Sequence, residues 1–417
     1  MKNNYGYYMN TIREVTDDIY WIGGNDHRLA LFENIFPIPK GVSYNSFFIQ
    51  DEKTAVLDSV DWAIARDYLE NIREMLQGKP LDYLIINHME PDHCSAIELC
   101  VNEWPELKLV STEQGFDIMR QLRYRIDEER IQIVKEGDSL SLGKHELHFV
   151  EAPMVHWPEV MMTYDATTKT LFSADAFGSF GALEGALFTD EVDWERDWLD
   201  DARRYYTNIV GKYGPHVMNA LKKASTLDIK YICPLHGLVW RENIPFLLEK
   251  YTKWASYEPE EKGVLIVYSS MYGNTEHACQ VLASKLHQAG VHKVRLYDVS
   301  NTHVSYLISE SFKYSHIIFG AVTYNLGVYP PLMNFLHDMK VLNLQNRTIG
   351  ILENGSWAAK AGDLIEEYVN TEMKTMDVLG DRVTMNSALS EGNMSDFNAI
   401  IESLADDIIG KKRNKED

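Results

Sequence analysis

The hydrophobic pattern of this 417-residue chain changes its period near residue 255, and that change limits the folds available to it. Before it, short β-branched and aromatic runs such as IYWIGG (19–24) and YLIINH (83–88) predict a strand-rich half. After it, five strand candidates from VLIVY (264–268) to RVTMNSA (382–388) alternate with helical stretches, which indicates a doubly wound parallel sheet. We therefore predict two α/β domains, at residues 1–255 and 263–417, with a polar linker at 256–262.

Composition and charge exclude several classes of protein. Hydrophobic residues make up 45% of the chain and charged residues 24%, which is usual for a globular protein. The formal net charge of −22 argues against a nucleic-acid partner and against anionic membranes. No apolar run approaches the roughly 20 residues that span a bilayer, and the N-terminus lacks a secretory pattern. We expect a cytoplasmic protein whose cysteines are reduced thiols, since Cys94, Cys100, Cys233 and Cys279 form no C-x-x-C pair.

The segment HMEPDH (88–93) carries the strongest functional signal. It follows an apolar strand, and residues two apart in an extended segment point to the same side, so His88 and Glu90 can converge on one ion. The proline after them turns the chain and lets Asp92 and His93 reach a second point nearby. Four ligand-type residues in six positions predict a metal site rather than a solvated polar loop.

Three further ligand candidates follow other predicted strands. They are His156 in EAPMVHWPE, Asp175 in LFSADAFG and His236 in YICPLHG. Each alone has an ordinary explanation, as a hydrogen-bonded histidine or a turn-capping aspartate. Together with HMEPDH they complete a ligand set for two metal ions.

This order and spacing resemble the metallo-β-lactamase fold, an αβ/βα sandwich with its metal site at the strand ends. Hydrolases of that superfamily typically show H-x-H-x-D-H and bind zinc, whereas Glu90 replaces the second histidine here. Together with Asp92 and Asp175 it makes the ligand set rich in carboxylates, which tolerates the rise in metal charge that iron redox chemistry requires. A histidine in place of Glu90 would leave the two-metal site with a net positive charge, which suits Lewis-acid hydrolysis. The charge balance favours iron, and a zinc-dependent hydrolase fused to a flavodoxin-like domain is the alternative.

The second half has three loops at the carboxyl ends of predicted strands, where open α/β sheets bind ligands. In SMYGNT (270–275), backbone N–H groups at a helix N-terminus and two hydroxyl groups can bind a phosphate. The segment has no Walker lysine and no G-x-G-x-x-G pattern, so a single phosphate monoester fits best. The other loops, AVTYNLGVYPP (321–331) and ENGSWAAKAG (353–362), offer Tyr324 and Trp357 to border an aromatic ring.

These loops resemble those of the flavodoxin fold, whose ligand is FMN. Tyr272 stands where the flavodoxin T-G-N-T pattern usually has a threonine. The FMN contacts expected from the three loops are Ser270, Met271, Tyr272, Gly273, Asn274, Thr275, Val322, Thr323, Tyr324, Asn325, Gly327, Asn354, Gly355, Ser356 and Trp357.

A metallo-β-lactamase-like domain with H-x-E-x-D-H, followed by a flavodoxin-like five-stranded parallel sheet, resembles the flavodiiron protein (A-type flavoprotein) family from about residue 12 to 410. The resemblance implies an oxidoreductase that reduces O2 to water or NO to N2O with electrons delivered through FMN. It implies that one iron is bound by His88, Glu90 and His156, the other by Asp92 and His236, and that Asp175 bridges them. His93 is a further candidate for the second iron, although in some members water replaces the matching histidine.

The resemblance also implies partners. Family members form head-to-tail homodimers, or tetramers built from two of them, in which the FMN of one protomer faces the diiron site of the other. No C-x-x-C pair follows the flavin domain, so the expected donor is a separate protein such as rubredoxin. O2 is slightly favoured over NO, and an electron carrier with a scaffold-only metal half is a second alternative. Pocket candidates, with ordinary packing as an equal explanation, are Asp26, His27, Tyr205 and Tyr206.

Overall fold

The computed structural model describes residues 10–410, which fall into two compact units. Within the described residues, the first comprises 10–206 and 215–251, and the second comprises 207–214 and 252–410. The outermost parts of the predicted domains, at 1–9 and 411–417, lie outside the described residues. Within residues 10–410, no helix has the length and apolar character required to cross a lipid bilayer.

The first unit contains short strands and helices. Its strands are β1 (Arg13–Glu14), β2 (Ile19–Trp21), β3 (Gly24–Asp26), β4 (Leu31–Phe32), β5 (Phe36–Pro37), β6 (Val42–Tyr44), β7 (Phe47–Ile49), β8 (Ala55–Leu57), β9 (Tyr83–Ile85), β10 (Lys108–Ser111), β11 (Ile131–Ile133), β12 (Ser139–Ser141), β13 (Glu146–Glu151), β14 (Met161–Asp165), β15 (Thr170–Phe172) and β16 (Tyr231–Cys233). Its α-helices are α1 (Ala65–Leu76), α2 (Pro91–Cys94), α3 (Ile97–Glu103), α4 (Glu113–Gln121), α5 (Trp194–Asp197), α6 (Leu199–Tyr205), α7 (Gly214–Ala224) and α8 (Ile244–Ala255), the last of which runs on into the second unit.

Two sheets organise this unit. One follows the order β1-β2-β7-β8-β9-β10-β11 and the other the order β12-β13-β14-β15-β16, while β3 pairs with β6 and β4 with β5. Central strands β7 and β8 are apolar and buried at every position, as strands covered on both faces require. Helix α1 buries Tyr68, Leu69, Ile72 and Leu76, which recur at helical spacing on one face. The predicted metallo-β-lactamase-like α/β fold is confirmed.

The second unit is built around one sheet. Its strands are β17 (Glu261–Tyr268), β18 (Val294–Asp298), β19 (Tyr314–Tyr324), β20 (Gly327–Val328), β21 (Arg347–Asn354) and β22 (Met376–Met385), and its remaining helices are α9 (Asn274–Gln288), α10 (Val304–Lys313), α11 (Pro330–Val341), α12 (Ala361–Glu372) and α13 (Met394–Ile409). Five parallel strands follow the order β18-β17-β19-β21-β22, and β20 adds an antiparallel hairpin to β19. This is the flavodoxin order, so the predicted doubly wound sheet is confirmed.

The segment predicted as a linker, 256–262, lies within the second unit. Strand β17 already begins at Glu261, and Trp254 donates its indole N–H to Glu260 at 2.7 Å. The buried guanidinium of Arg347 donates to the carbonyl of Tyr257 at 2.7 Å and to that of Phe312 at 2.9 Å. The bond to Tyr257 attaches the polar stretch to strand β21, and the bond to Glu260 attaches it to helix α8.

A buried histidine–carboxylate pair makes the stability of the first unit depend on pH. Nδ1 of His145 lies 2.9 Å from Oδ2 of Asp165, and both side chains are fully buried. Burial would lower the pKa of His145, but the hydrogen bond with Asp165 raises it above its usual 6.5. Burial would raise the pKa of Asp165, but the same hydrogen bond lowers it below 3.8. The pair therefore stabilises the folded state fully at pH values between the usual pKa of an aspartate and that of a histidine. This stabilisation is lost as pH rises through the folded-state pKa of His145.

We expect Asp165→Asn to lower the free energy of unfolding more at about pH 5.5 than at about pH 9, because only the acidic condition keeps His145 charged in the wild type. Urea unfolding of both proteins, followed by tryptophan fluorescence, measures the difference. An equal loss at both pH values would contradict this account of the pair.

Candidate metal centre and flavin site

The structure brings together all seven predicted metal ligands in two neighbouring groups. In each group the side chains offer one ligand atom apiece, and these atoms lie within 4.8 Å of one another. The first group is His88, Glu90, His156 and Asp175, and the second is Asp92, His93 and His236.

Asp175 presents one carboxylate oxygen to each group. Its Oδ2 lies 3.3 Å from Nε2 of His88 and 3.1 Å from Nε2 of His156. Its Oδ1 lies 3.2 Å from Nε2 of His93 and 3.6 Å from Nε2 of His236. A carboxylate with this orientation can bridge two cations.

Strand register explains why ligands distant in sequence meet. Strands β15 and β16 run parallel, with Phe172 opposite Cys233. Asp175 and His236 each lie three residues beyond these paired positions, so both emerge at the same sheet edge. The HMEPDH segment follows β9, and its proline opens helix α2, which carries Asp92 and His93 in its first turn.

The unsatisfied polar atoms of the site fit bound cations. Within the described residues, both carboxylate oxygens of Asp92, both ring nitrogens of His93, Oδ1 of Asp175 and Nε2 of His236 are buried without a hydrogen-bond partner. Such atoms are costly to bury unless something binds them. Carboxylate oxygens and imidazole nitrogens in this number suit two transition-metal ions with mixed oxygen and nitrogen ligands.

The electrostatics of the site favour positive charge. Burial would lower the pKa of His156, but hydrogen bonds with Asp175 and Glu90 raise it to about 9. Burial would raise the pKa of Asp175, but the surrounding histidines hold it well below 3.8. The carboxylate of Asp175 is therefore ionised, and a metal ion would replace the protons on the histidines around it.

A second set of residues orients the ligands, and none of them was among the predicted site residues. Nδ1 of His88 lies 2.8 Å from Oε1 of Glu159, which is 3% exposed. Nδ1 of His236 lies 2.7 Å from the carbonyl oxygen of Ser43. The buried Asp58 accepts hydrogen bonds from the backbone N–H and the side-chain amide of Asn87, both at 2.7 Å. Only the proximity of Glu159 to His156 in HWPE could have indicated its role.

The four pocket candidates differ in position. Tyr205 is 1% exposed, its ring centroid lies 5.5 Å from that of His236, and its hydroxyl has no partner within the described residues. Asp26 instead accepts the backbone N–H of Arg28 at 2.7 Å, as a turn residue. His27 is exposed, and Tyr206 packs edge-on against Tyr251 with centroids 5.0 Å apart.

A cavity in the second unit lies at the carboxyl ends of β17, β19 and β21, as predicted for the flavin. Of the predicted contacts, all but Gly273, Tyr324 and Gly327 line it. Leu326 and Ala358, which lie within the predicted loops, and Ser387, which follows β22, line it too, although none of them was among the predicted contacts. The lining residues are Ser270, Met271, Tyr272, Asn274, Thr275, Val322, Thr323, Asn325, Leu326, Asn354, Gly355, Ser356, Trp357, Ala358 and Ser387.

The walls of this cavity are held by hydrogen bonds. The hydroxyl of Ser270 accepts the backbone N–H of Gly273 at 3.1 Å, and Gly273 has a φ of +90° that favours glycine. The amide of Asn354 donates to the hydroxyl of Thr275 at 3.2 Å and to the carbonyl of Ser387 at 2.8 Å. With the N-terminus of α9 facing the loop, the cavity suits a phosphate and a flat polar ring.

The hydroxyl of Thr323, which also lines the cavity, holds the start of helix α12 in place. It accepts the backbone N–H groups of Lys360 at 2.9 Å and Ala361 at 3.2 Å, at the start of α12. Among the contacts that do not line the cavity, Tyr324 pairs with Gly327 in the β19–β20 hairpin and packs its ring against Tyr329.

Known proteins share both units. The profile of the ODP family of β-lactamases matches residues 42–237, and that of a flavodoxin domain matches residues 265–386. The anaerobic nitric oxide reductase flavorubredoxin of Aeromonas hydrophila is 31% identical over 84% of this chain and 71% of its own length. The rubredoxin oxygen:oxidoreductase of Desulfovibrio gigas superposes with a TM-score of 0.88 at 28% identity, covering 96% of this chain and 99% of that one. The flavodiiron protein of Giardia intestinalis gives 0.86 at 25% identity, covering 97% and 98%.

The fold and the two sites define an oxidoreductase that uses FMN and a pair of metal ions. More specifically, the chain belongs to the flavodiiron protein family. Its cofactors are accordingly FMN and a diiron centre.

Proposed function

We propose that this protein reduces O2 to water, NO to N2O, or both, at a diiron centre in its first unit with electrons delivered through FMN in its second. The observation that carries the proposal is the orientation of Asp175, which turns one oxygen to each of two complete ligand groups. The relatives named for nitric oxide and oxygen reduction support both substrates.

We propose that His88, Glu90 and His156 hold one iron, that Asp92, His93 and His236 hold the other, and that Asp175 bridges them. When bound, the irons supply one-electron redox chemistry and open coordination positions for a small gas, while FMN supplies electrons singly or in pairs. The protein supplies orientation, through the outer contacts of His88 and His236, and it shields the centre from bulk water with apolar and aromatic side chains. The rings of Phe32 and Tyr44 pack around His236 with centroids 5.3 and 5.7 Å away.

Within the described residues, the hydroxyl of Tyr205 is one hydrogen-bond donor near the ligands, since its ring lies 5.5 Å from that of His236. Burial and the neighbouring carboxylates of Asp175 and Asp92 hold its pKa well above 10.0, so the phenol stays protonated at neutral pH. A protonated, unpartnered hydroxyl can donate a hydrogen bond to a polar species in the pocket.

We also propose a cytoplasmic head-to-tail homodimer, or a tetramer built from it, that takes electrons from a separate small redox protein such as rubredoxin. Two large aromatic side chains beside the flavin cavity support a protein surface there, since Tyr272 is 91% and Trp357 81% exposed. Four buried thiols, with no disulfide, fit a reducing compartment.

The direct test uses the iron- and FMN-loaded protein, reduced anaerobically and mixed with O2 or NO in a stopped-flow instrument. We expect gas consumption faster than by free reduced FMN, with N2O as the product from NO. The matched control is the same protein loaded with FMN alone. Equal rates for both forms would support an electron carrier, and zinc without iron in the native protein would support a hydrolase.

The flavin site gives a separate prediction. We expect Thr275→Val to weaken FMN binding at least about tenfold, because a hydrogen bond to a charged phosphate contributes about 1.5–3 kcal/mol. Titration of the FMN-free protein by flavin fluorescence measures the change. Thr371→Val is the control, since that hydroxyl donates to the carbonyl of Glu367 on helix α12. Wild-type affinity in Thr275→Val would exclude this hydroxyl from the phosphate site.

A further inference from the structure

The two metal positions differ in the groups that contact the Nδ1 atoms of their histidine ligands. Nδ1 of His88, in the first group, faces a carboxylate oxygen of Glu159 at 2.8 Å. In the second group, Nδ1 of His236 faces the neutral carbonyl oxygen of Ser43 at 2.7 Å. Nδ1 of His93 has no hydrogen-bond partner within residues 10–410. A histidine ligand of the first position therefore has a carboxylate as its outer hydrogen-bond partner. Among the residues that the structure describes, neither histidine of the second position has a charged partner at Nδ1.

Glu159 is itself held rigidly. Its Oε1 also accepts the backbone N–H of Met89 at 3.0 Å, and its backbone carbonyl accepts the hydroxyl of Thr112 at 3.2 Å. The side chain is 1% exposed, and its Oε2 has no partner within the described residues. Glu159 lies three residues beyond His156, so one short loop carries a ligand and the carboxylate that orients another ligand of the same group.

We propose that Glu159 is a positioning residue that makes the two irons unequal: it fixes the ring of His88 through Nδ1–H and adds negative charge behind the first position. The proposal rests on the proposed diiron function. A carboxylate that accepts the Nδ1 hydrogen makes the imidazole a stronger donor to a metal at Nε2. An iron held by His88, Glu90 and His156 would then have a lower reduction potential than an iron held by the second group.

Two substitutions separate charge from orientation. Glu159→Gln keeps an oxygen that can accept from both His88 and Met89, so it removes the charge alone. Glu159→Ala removes both. For Glu159→Gln we expect two bound irons, a higher reduction potential in one of the two one-electron steps and a shift in one iron's Mössbauer signal. For Glu159→Ala we expect iron affinity about 10–100-fold weaker, the loss usual for an outer-shell partner.

The control is Asp165→Asn, which alters another buried histidine–carboxylate pair of the same unit that lies outside the ligand set. It should leave both potentials and the iron content unchanged. Unaltered potentials and Mössbauer parameters in Glu159→Gln, or wild-type iron affinity in Glu159→Ala, would overturn the proposal. A wild-type protein that holds two irons but reduces neither gas would remove the proposed function and leave this test intact, because its measurements do not depend on turnover.

Discussion

Replacing Asp175 with asparagine should empty both metal positions at once. The neutral amide has one oxygen where the carboxylate has two, so it cannot present an anionic oxygen both to His156 at 3.1 Å and to His93 at 3.2 Å. Loss of an outer-shell partner alone weakens metal binding about 10–100-fold, so loss of the bridge should weaken it more than about 100-fold. Iron content per chain and the rate of O2 or NO consumption should fall together.

The control for this variant is again Asp165→Asn, which removes a buried carboxylate that pairs with His145 outside the metal site. It should keep its iron and its gas consumption at neutral pH while losing stability. Asp175→Asn that still holds two irons per chain would show that this carboxylate does not join the two positions.

Glu90→His should have the second large effect, because it changes the charge of the ligand set. Oε2 of Glu90 lies 3.2 Å from Nε2 of His88 and 3.0 Å from Nε2 of His156, so its charge acts directly on the first position. A unit charge about 4 Å away is worth about 4 kcal/mol at an effective dielectric constant of about 20, or roughly a thousandfold in the ratio of ferric to ferrous iron. We expect a higher reduction potential, a greater share of zinc in the purified protein and a large loss of gas consumption.

Glu90→His both removes a negative charge and adds a nitrogen ligand. Glu90→Gln separates these two changes, because it removes the charge without adding a nitrogen ligand. It should raise the potential without the shift towards zinc. If Glu90→His kept the wild-type iron content and potential, the carboxylate would not be what adapts this fold to electron chemistry.

The metal ligands could be predicted because strand ends constrain them. HMEPDH carries four ligands within six residues, and Asp175 and His236 follow strands that pair in parallel register. The flavodoxin-like sheet was predictable because its central strands β17, β19 and β21 contain buried apolar runs that alternate with helical stretches. Both signals lie in local patterns that the sequence shows directly.

Other features depend on contacts that no local pattern reveals. Glu159 meets His88 because the start of β14 lies beside the metal loop, where Met161 donates its N–H to Asn87, and its position three residues after His156 is only a weak sign of that contact. Ser387 reaches the flavin cavity from beyond β22, where nothing marks it as a binding residue. Helices α3 and α4 were not predicted because each is short, with seven and nine residues, and gives only a short run of helical period.

The central claim is that side chains from separate strand ends gather two irons around Asp175. Anomalous diffraction from crystals of the native protein, measured at the iron and zinc absorption edges, tests it most directly. We predict two iron peaks about 3.5–4 Å apart, one beside each carboxylate oxygen of Asp175. A single peak, zinc at both positions, or no metal beside Asp175 would contradict the account.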